Sequence, residues 1–189
     1  MHHSSRRSFL RGSGALLAGM GLAACAATTS NGVTTITLDV DEVVTDVGIA
    51  LSIGQTALGF SGVPAGVVSI VNQGVTIIKA GLVAFQSSAG SSLSLTFDRS
   101  SPPAALTSLI ADLRTVSANI AAVAKSEGAA LSSALLGKVS SVSTDIGNIA
   151  SILEAIVGTV ATAQVGTLMT DYQRRAVQVD AIKARHGLR

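Results

Sequence analysis

The sequence predicts an all-α fold, an up-down bundle of four to five helices with a minor two-stranded ribbon pairing 35–38 with 93–97. Three observations carry this. Leu135, Val139, Val142, Ile146, Ile149, Leu153, Ile156, Val160 and Ala163 recur alternately four and three apart, a heptad seam held over four repeats. Between Pro64 and Ser87, apolar residues line up in rows seven apart: Val68, Val75, Leu82; Ile70, Ile77, Ala84; Val71, Ile78, Phe85. Leu106, Leu109, Leu113, Val116, Ile120 and Val123 form a third, narrower seam.

The first helix is expected over about 40–59. Asp39 with Glu42 fits a capping box, and Val40, Val43, Val44, Val47, Leu51 and Leu58 make one stripe. Gly59 and the Gly62–Pro64 stretch end it. The second helix, from Pro64, has Ser69, Asn72, Gln73, Thr76, Lys79 and Gln86 on its polar face. Its Gly74 and Gly81 would let a partner approach closely, at about 1 kcal/mol each in helix propensity. Residues 88–101 break the helical period. Leu93, Leu95 and Phe97 alternate with Ser94 and Thr96, as Thr35-Ile36-Thr37-Leu38 does before the first helix, and these two stretches form the ribbon.

The third helix starts after Pro102-Pro103 and runs to about Glu127. The fourth carries the heptad seam, with Lys138, Asp145, Asn148 and Glu154 off it. The seam spans about 42 Å at 1.5 Å per residue. Either a glycine (Gly137, Gly147 or Gly158) breaks it, or part of it protrudes to bind a protein partner along 135–163. A last helix, about 171–186, ends in a basic turn (Lys183, Arg185, His186) with Gly187 at C′.

Composition agrees with a dry aliphatic interior. Hydrophobic residues are 48% of the chain, charged ones 13% and aromatics 3%. After Cys25 the aromatics are Phe60, Phe85, Phe97 and Tyr172 alone. Cys25 is the single cysteine, so no intrachain disulfide can form.

The N-terminus reads Ser5-Arg6-Arg7-Ser8-Phe9-Leu10-Arg11, followed by a weakly apolar stretch to Ala24 that is too short to span a bilayer. Arg6, Arg7, Phe9 and Leu10 make this segment resemble a bacterial twin-arginine (Tat) export signal, with Arg11 in place of the usual Lys. Leu22-Ala23-Ala24-Cys25 resembles a lipoprotein lipobox, whose Cys is lipidated and becomes the first residue. Ala24-Cys25-Ala26 also fits an ordinary signal-peptidase site, which would leave no lipid. The resemblance implies Tat export, cleavage before Cys25, and a lipoprotein on the periplasmic side of a bacterial membrane. Ala26, where Asp would favour inner-membrane retention, slightly favours the outer membrane. The chain then divides into a signal peptide (1–24), a lipidated N-terminus with a flexible tether (25–32), and one helical domain (33–189). Removing 24 of the 189 residues leaves 165, enough for one core. It also removes three of the 13 basic residues against 11 acids, leaving a net charge of −1 that excludes nucleic-acid binding.

The chemistry-bearing residues are sparse. The soft or nitrogen donors beyond the signal are Cys25, Met169 and His186, at spacings that build no zinc, haem, copper or iron–sulfur site, and no cofactor is expected. Asp39, Asp41, Glu42 and Asp46 form one acidic cluster, a weak candidate for Ca²⁺ or Mg²⁺. A negatively charged helix N-terminus explains the same residues better, since the cluster lacks the glycine and spacing of an EF-hand. Serines are abundant, but the one histidine beyond the signal lies in the tail, and no Gly-x-Ser-x-Gly elbow or phosphate loop occurs. No catalytic residue is assigned. The basic C-terminal run (Arg174, Arg175, Lys183, Arg185, Arg189) and the off-seam acids are expected on solvated faces.

The resulting expectation is an exported, membrane-tethered helical lipoprotein, non-enzymatic, acting as a scaffold or interaction module. Two alternatives stand beside it. One is a membrane-active helical pore-former, resting on the apolar run Val67–Phe85, which Asn72, Gln73 and Lys79 oppose. The other is a periplasmic accessory subunit or carrier of an apolar ligand held between helices.

Overall fold

The computed structural model describes residues 25–30, 33–129, 131–157 and 177–188. The elements are β1 (Cys25–Ser30), β2 (Val33–Asp39), α1 (Val40–Leu58), α2 (Ala65–Ala89), β3 (Ser94–Asp98), α3 (Ala104–Ser126) and α4 (Ser133–Val157). A C-terminal helix covers 177–185. The expected export signal (1–24), Gly158, the far end of the seam (Val160, Ala163), Met169, Tyr172, Arg174 and Arg175 lie outside the described residues.

Local chemistry sets the helix ends. The Oδ1 of Asp39 accepts from the Glu42 amide at 3.1 Å, so the first half of the expected capping box is present. Pro64 (φ −59) and Pro103 (φ −56) stand immediately before α2 and α3, where the fixed proline φ suits a helix entrance. Gly90 (φ +61) ends α2 in a conformation that side chains with a Cβ avoid. Gly187 (φ +67) closes the C-terminal helix, and the Leu188 amide reaches back to the Lys183 carbonyl at 2.9 Å, as in a Schellman end.

The helices form a bundle in which α1 packs on α2 and α4, and α3 packs on α2 and α4. Within it α2 and α3, and α3 and α4, run antiparallel. Gly74 faces Val116, while Gly81, one heptad later, faces Leu109 and Asp112 of α3. Ser117 bonds Ser143, whereas the earlier Arg114 reaches the later Ser151 and Glu154 of α4. The expected close approach at Gly74 and Gly81 is thus made, and α3 is the helix that uses it. The polar face expected on α2 is exposed at Ser69, Asn72, Gln73, Thr76, Lys79 and Gln86.

The core is aliphatic apart from two buried phenylalanines, Phe85 and Phe97. Val43, Ile53, Ile78, Phe85, Leu106, Leu113, Ile120, Ile146, Ile149 and Leu153 are all essentially without exposure. Leu135, Val139, Val142, Ile146, Ile149 and Leu153 of the heptad seam are all buried by this chain's own residues. Over its described part the seam is thus closed by this chain's own helices. Neither Gly137 nor Gly147 interrupts α4. Gly147 instead sits where a Cβ would be 2.9 Å from the Ser117 hydroxyl.

The expected ribbon is present and has a third member. The sheet order is β1-β2-β3, antiparallel throughout, with Ile36 opposite Phe97 and Leu38 opposite Leu95. Ile36, Leu38 and Phe97 share the inner face and join the core. The ladder is extended by Val40 N–H to the Leu93 carbonyl (3.0 Å) and Arg99 N–H to the Thr34 carbonyl (2.8 Å).

The additional strand corrects the tether expected over 25–32. Cys25–Ser30 pairs with β2 from Cys25 opposite Leu38 to Ser30 opposite Val33. A small, polar composition suggests a linker. A free strand edge beside it offers its amides and carbonyls regular partners, and that settles its conformation. Because α1 starts where β2 ends, and β3 lies between the end of α2 and the start of α3, the sheet sits at one end of the bundle.

Candidate functional site

The four acidic residues at the start of α1 differ in burial and partners. Asp39 caps α1, Asp41 is exposed, Glu42 is half-buried and Asp46 is buried at 3% exposure. Glu42 and Asp46, four residues apart, share one face of α1, and Asp41 lies off it. Among the described residues no three His, Cys, Asp or Glu side chains gather where they could hold a metal ion.

The chemistry concentrates instead on α4. Asp145 has no solvent exposure, which corrects its expected place on a solvated face. Its Oδ1 lies 2.5 Å from Nη1 of Arg185, and its Oδ2 lies 2.8 Å from Nε2 of His186. The His186 side chain is only 7% exposed, while Arg185 is half-exposed. The Asn148 amide, one turn along α4, is 3.5 Å from Oδ1. Both basic partners come from the last turn of the C-terminal helix, whose Val179 and Ile182 are also buried. The basic end expected to be solvated is therefore clasped to a buried carboxylate. Burying an unpaired carboxylate is costly, and the Arg185 guanidinium and the His186 ring supply contacts that replace water.

The opposite flank of α4 carries a second polar contact, to α3. Nε of Arg114 donates to Oε1 of Glu154 at 2.8 Å, and Nη2 pairs with Oε2 of the same carboxylate. Arg114 also donates to the Ser151 hydroxyl (2.9 Å) and the Gly147 carbonyl (3.3 Å). The planar fork of the guanidinium matches a carboxylate in two parallel bonds. Hydrogen bonding to Arg114 holds the Glu154 carboxyl below its ordinary range and raises the Arg114 guanidinium. Elsewhere on the α3–α4 interface Ser117 and Ser143 exchange bonds, each hydroxyl donating to the other's backbone carbonyl at 2.8 Å.

Two further acids are perturbed. Burial against α2 raises the Asp112 carboxyl. The Ser100 amide and hydroxyl, both 2.8 Å from Oδ1, lower the Asp98 carboxyl where β3 turns.

The Arg114–Glu154, Ser117–Ser143 and Asp145–Arg185–His186 contacts join helices. The hydroxyls of Ser52, Ser88, Ser117, Ser126 and Ser143 donate to backbone carbonyls. His186, the one histidine among the described residues, spends Nε2 on Asp145. The depression lined by Asn72, Gln73, Thr76 and Ile77 is open to solvent on the outer face of α2 and holds no titratable side chain.

Sequence reasoning missed the Asp145–Arg185–His186 cluster. A faint signal was available: Ile152 lies seven residues after Asp145 and Ala150 flanks it, so the apolar arc of α4 is wider than one seam. Both Ile152 and Ala150 are buried. No protein-family model, no curated protein and no solved structure matches this chain.

Proposed function

We propose that this chain is a Tat-exported lipoprotein, anchored through Cys25 to the periplasmic side of a bacterial membrane, in which a helical bundle serves as a non-enzymatic scaffold. The observation that carries the reading is the run Ser5-Arg6-Arg7-Ser8-Phe9-Leu10-Arg11 ahead of an apolar stretch that ends Leu22-Ala23-Ala24-Cys25. Its support from the folded part is the use of the polar side chains. Arg114, Glu154, Asp145, Arg185 and His186 all bind other helices of the same chain, as the parts of a rigid platform do. Two or three acyl chains on Cys25 would hold such a platform durably, where one chain alone binds only marginally.

The test is expression of the full chain in a bacterium with Tat and lipoprotein-processing enzymes. The expected result is a membrane-fraction protein that takes up labelled palmitate and begins at Cys25. Cys25→Ala should abolish the label, and Arg6→Lys with Arg7→Lys should leave uncleaved precursor in the cytoplasm. Export of the double-lysine protein at the normal rate would refute the Tat assignment.

The pore-forming alternative has one observation in its favour. Among the described residues α2 is the one helix long and apolar enough to cross a membrane. Its exposed Asn72, Gln73, Thr76 and Lys79 argue for a bundle helix with one wet face. Purified mature protein is expected to release no dye from liposomes.

A further inference from the structure

The placement of β1 changes what an anchor at Cys25 would do. A lipidated cysteine ahead of a flexible tether lets its domain tumble above the membrane. Here Cys25 is the first residue of an edge strand and stands opposite Leu38 in register. An anchor on Cys25 would therefore attach directly to the sheet.

The same end of the sheet carries the most exposed large apolar residue among the described ones. Leu93 is 75% exposed, and its carbonyl accepts from the Val40 amide one step past the Asp39–Ser94 pair. Cys25 and Leu95 flank Leu38 on either side, and Leu93 lies two residues beyond Leu95. Two strand spacings and two residue rises put the Cα atoms of Cys25 and Leu93 roughly 12 Å apart. Val33, 46% exposed, is a second apolar residue on this sheet. The sheet in turn occupies the bundle end where α1 begins, α2 finishes and α3 begins.

Resting on the lipoprotein reading above, we infer that the sheet-bearing end of the bundle lies against the bilayer, with Leu93 entering the headgroup region beside the lipidated Cys25. The partner is the lipid surface that holds the anchor. The opposite end, with the links 59–64 and 127–132, then points into the aqueous space. Asp39, Asp41 and Asp98 outnumber Arg99 around the sheet, so anionic headgroups add no net attraction, and the contact rests on the acyl chains and the apolar side chains.

The chain contains no tryptophan, which makes single-tryptophan reporters clean. Leu93→Trp, Val33→Trp and, at the far end, Ser61→Trp are each expressed as the full chain. The acylated products are reconstituted into phosphatidylcholine vesicles with and without brominated acyl chains. The expected result is blue-shifted emission for Leu93→Trp, most of it lost in brominated vesicles, a smaller effect for Val33→Trp, and none for Ser61→Trp. Unshifted, unquenched emission at 93 in protein whose Cys25 is shown by mass spectrometry to be acylated would overturn the orientation alone. An unacylated Cys25 would overturn the anchoring itself, and the orientation with it. Quenching at 61 rather than 93 would place the opposite end on the membrane and refute the inference.

Discussion

Nε2 of His186 lies 2.8 Å from Oδ2 of Asp145, a carboxylate with no solvent exposure, although 41 positions separate the two in the chain. The pair, with Arg185, fixes the last turn of the C-terminal helix to the middle of α4. A contact of this kind is unevenly sensitive to mutation, because removing one partner leaves the other buried without its hydrogen bond.

His186→Ala is therefore expected to lower stability by about 1–3 kcal/mol, read as a shift in the urea midpoint. Asp145→Ala should cost at least as much, and Asp145→Asn less, since the amide keeps an acceptor. Hydrogen exchange should show 177–185 opening in His186→Ala before the amides of α3 and α4 do. An unchanged midpoint and exchange pattern would mean the contact contributes nothing.

Glycine-to-alanine substitutions should split by position. A Cβ at Gly74 would stand 2.5 Å from Cγ1 of Val116, so Gly74→Ala must push α2 and α3 apart. Overpacking of this kind costs roughly 1–3 kcal/mol, only partly offset by alanine's better helix propensity. Val116→Ala opens the needed space, so the double variant should be less destabilised than the sum of the two singles. Gly137 has nothing within 4 Å of its Cβ position, and Gly137→Ala should gain about 0.5–1 kcal/mol. Equal effects at 74 and 137 would contradict the close α2–α3 approach.

The pH dependence follows from two carboxyls of opposite sign. Glu154 is held low in the folded state, so the Arg114 contact contributes stability above the ordinary glutamate range and loses it as pH falls through the folded value. Both side chains are substantially exposed (45% and 33%), so the contribution is under about 1 kcal/mol. Urea titrations should show Arg114→Gln less stable than the parent at neutral pH, with the gap closing on acidification. Asp112 is raised by burial, so its ionised form opposes folding above the ordinary aspartate range, and the penalty is relieved as pH falls. Asp112→Asn should be neutral or slightly stabilising at pH 7, with no difference from the parent at low pH.

Asp39 acts through its backbone bond to Glu42, and its predicted behaviour is that of an N-cap. Asp39→Ala should cost about 1 kcal/mol. Millimolar Ca²⁺ or Mg²⁺ should leave the thermal midpoint of the parent unchanged, since a ligand that binds the folded state raises it. A rise that Asp39→Ala abolishes would restore the cation reading.

Much of the architecture was legible because it is periodic and local. The stripes of α1 to α4, the cap at Asp39, the alternation of β2 and β3, and the glycine row of α2 depend on residues within a turn or two of each other. The strand β1 was also marked, by Asn31-Gly32 between Ser30 and Val33, the dipeptide most typical of a two-residue hairpin connection. Reading 25–32 by composition alone passed over it.

The resemblance of residues 5–25 to an export signal and the aliphatic, cysteine-poor character of the interior are determined by the sequence by itself, since motifs and apolar spacing are written in consecutive residues. Tertiary structure alone decided that Asp145 is buried, that Arg185 and His186 close on it, that α3 is the helix accepted by Gly74 and Gly81, and that the heptad seam is filled from within. Burial of a polar side chain depends on which distant segment arrives to replace its water. The helical period around Asp145 carries no record of a partner 41 residues away.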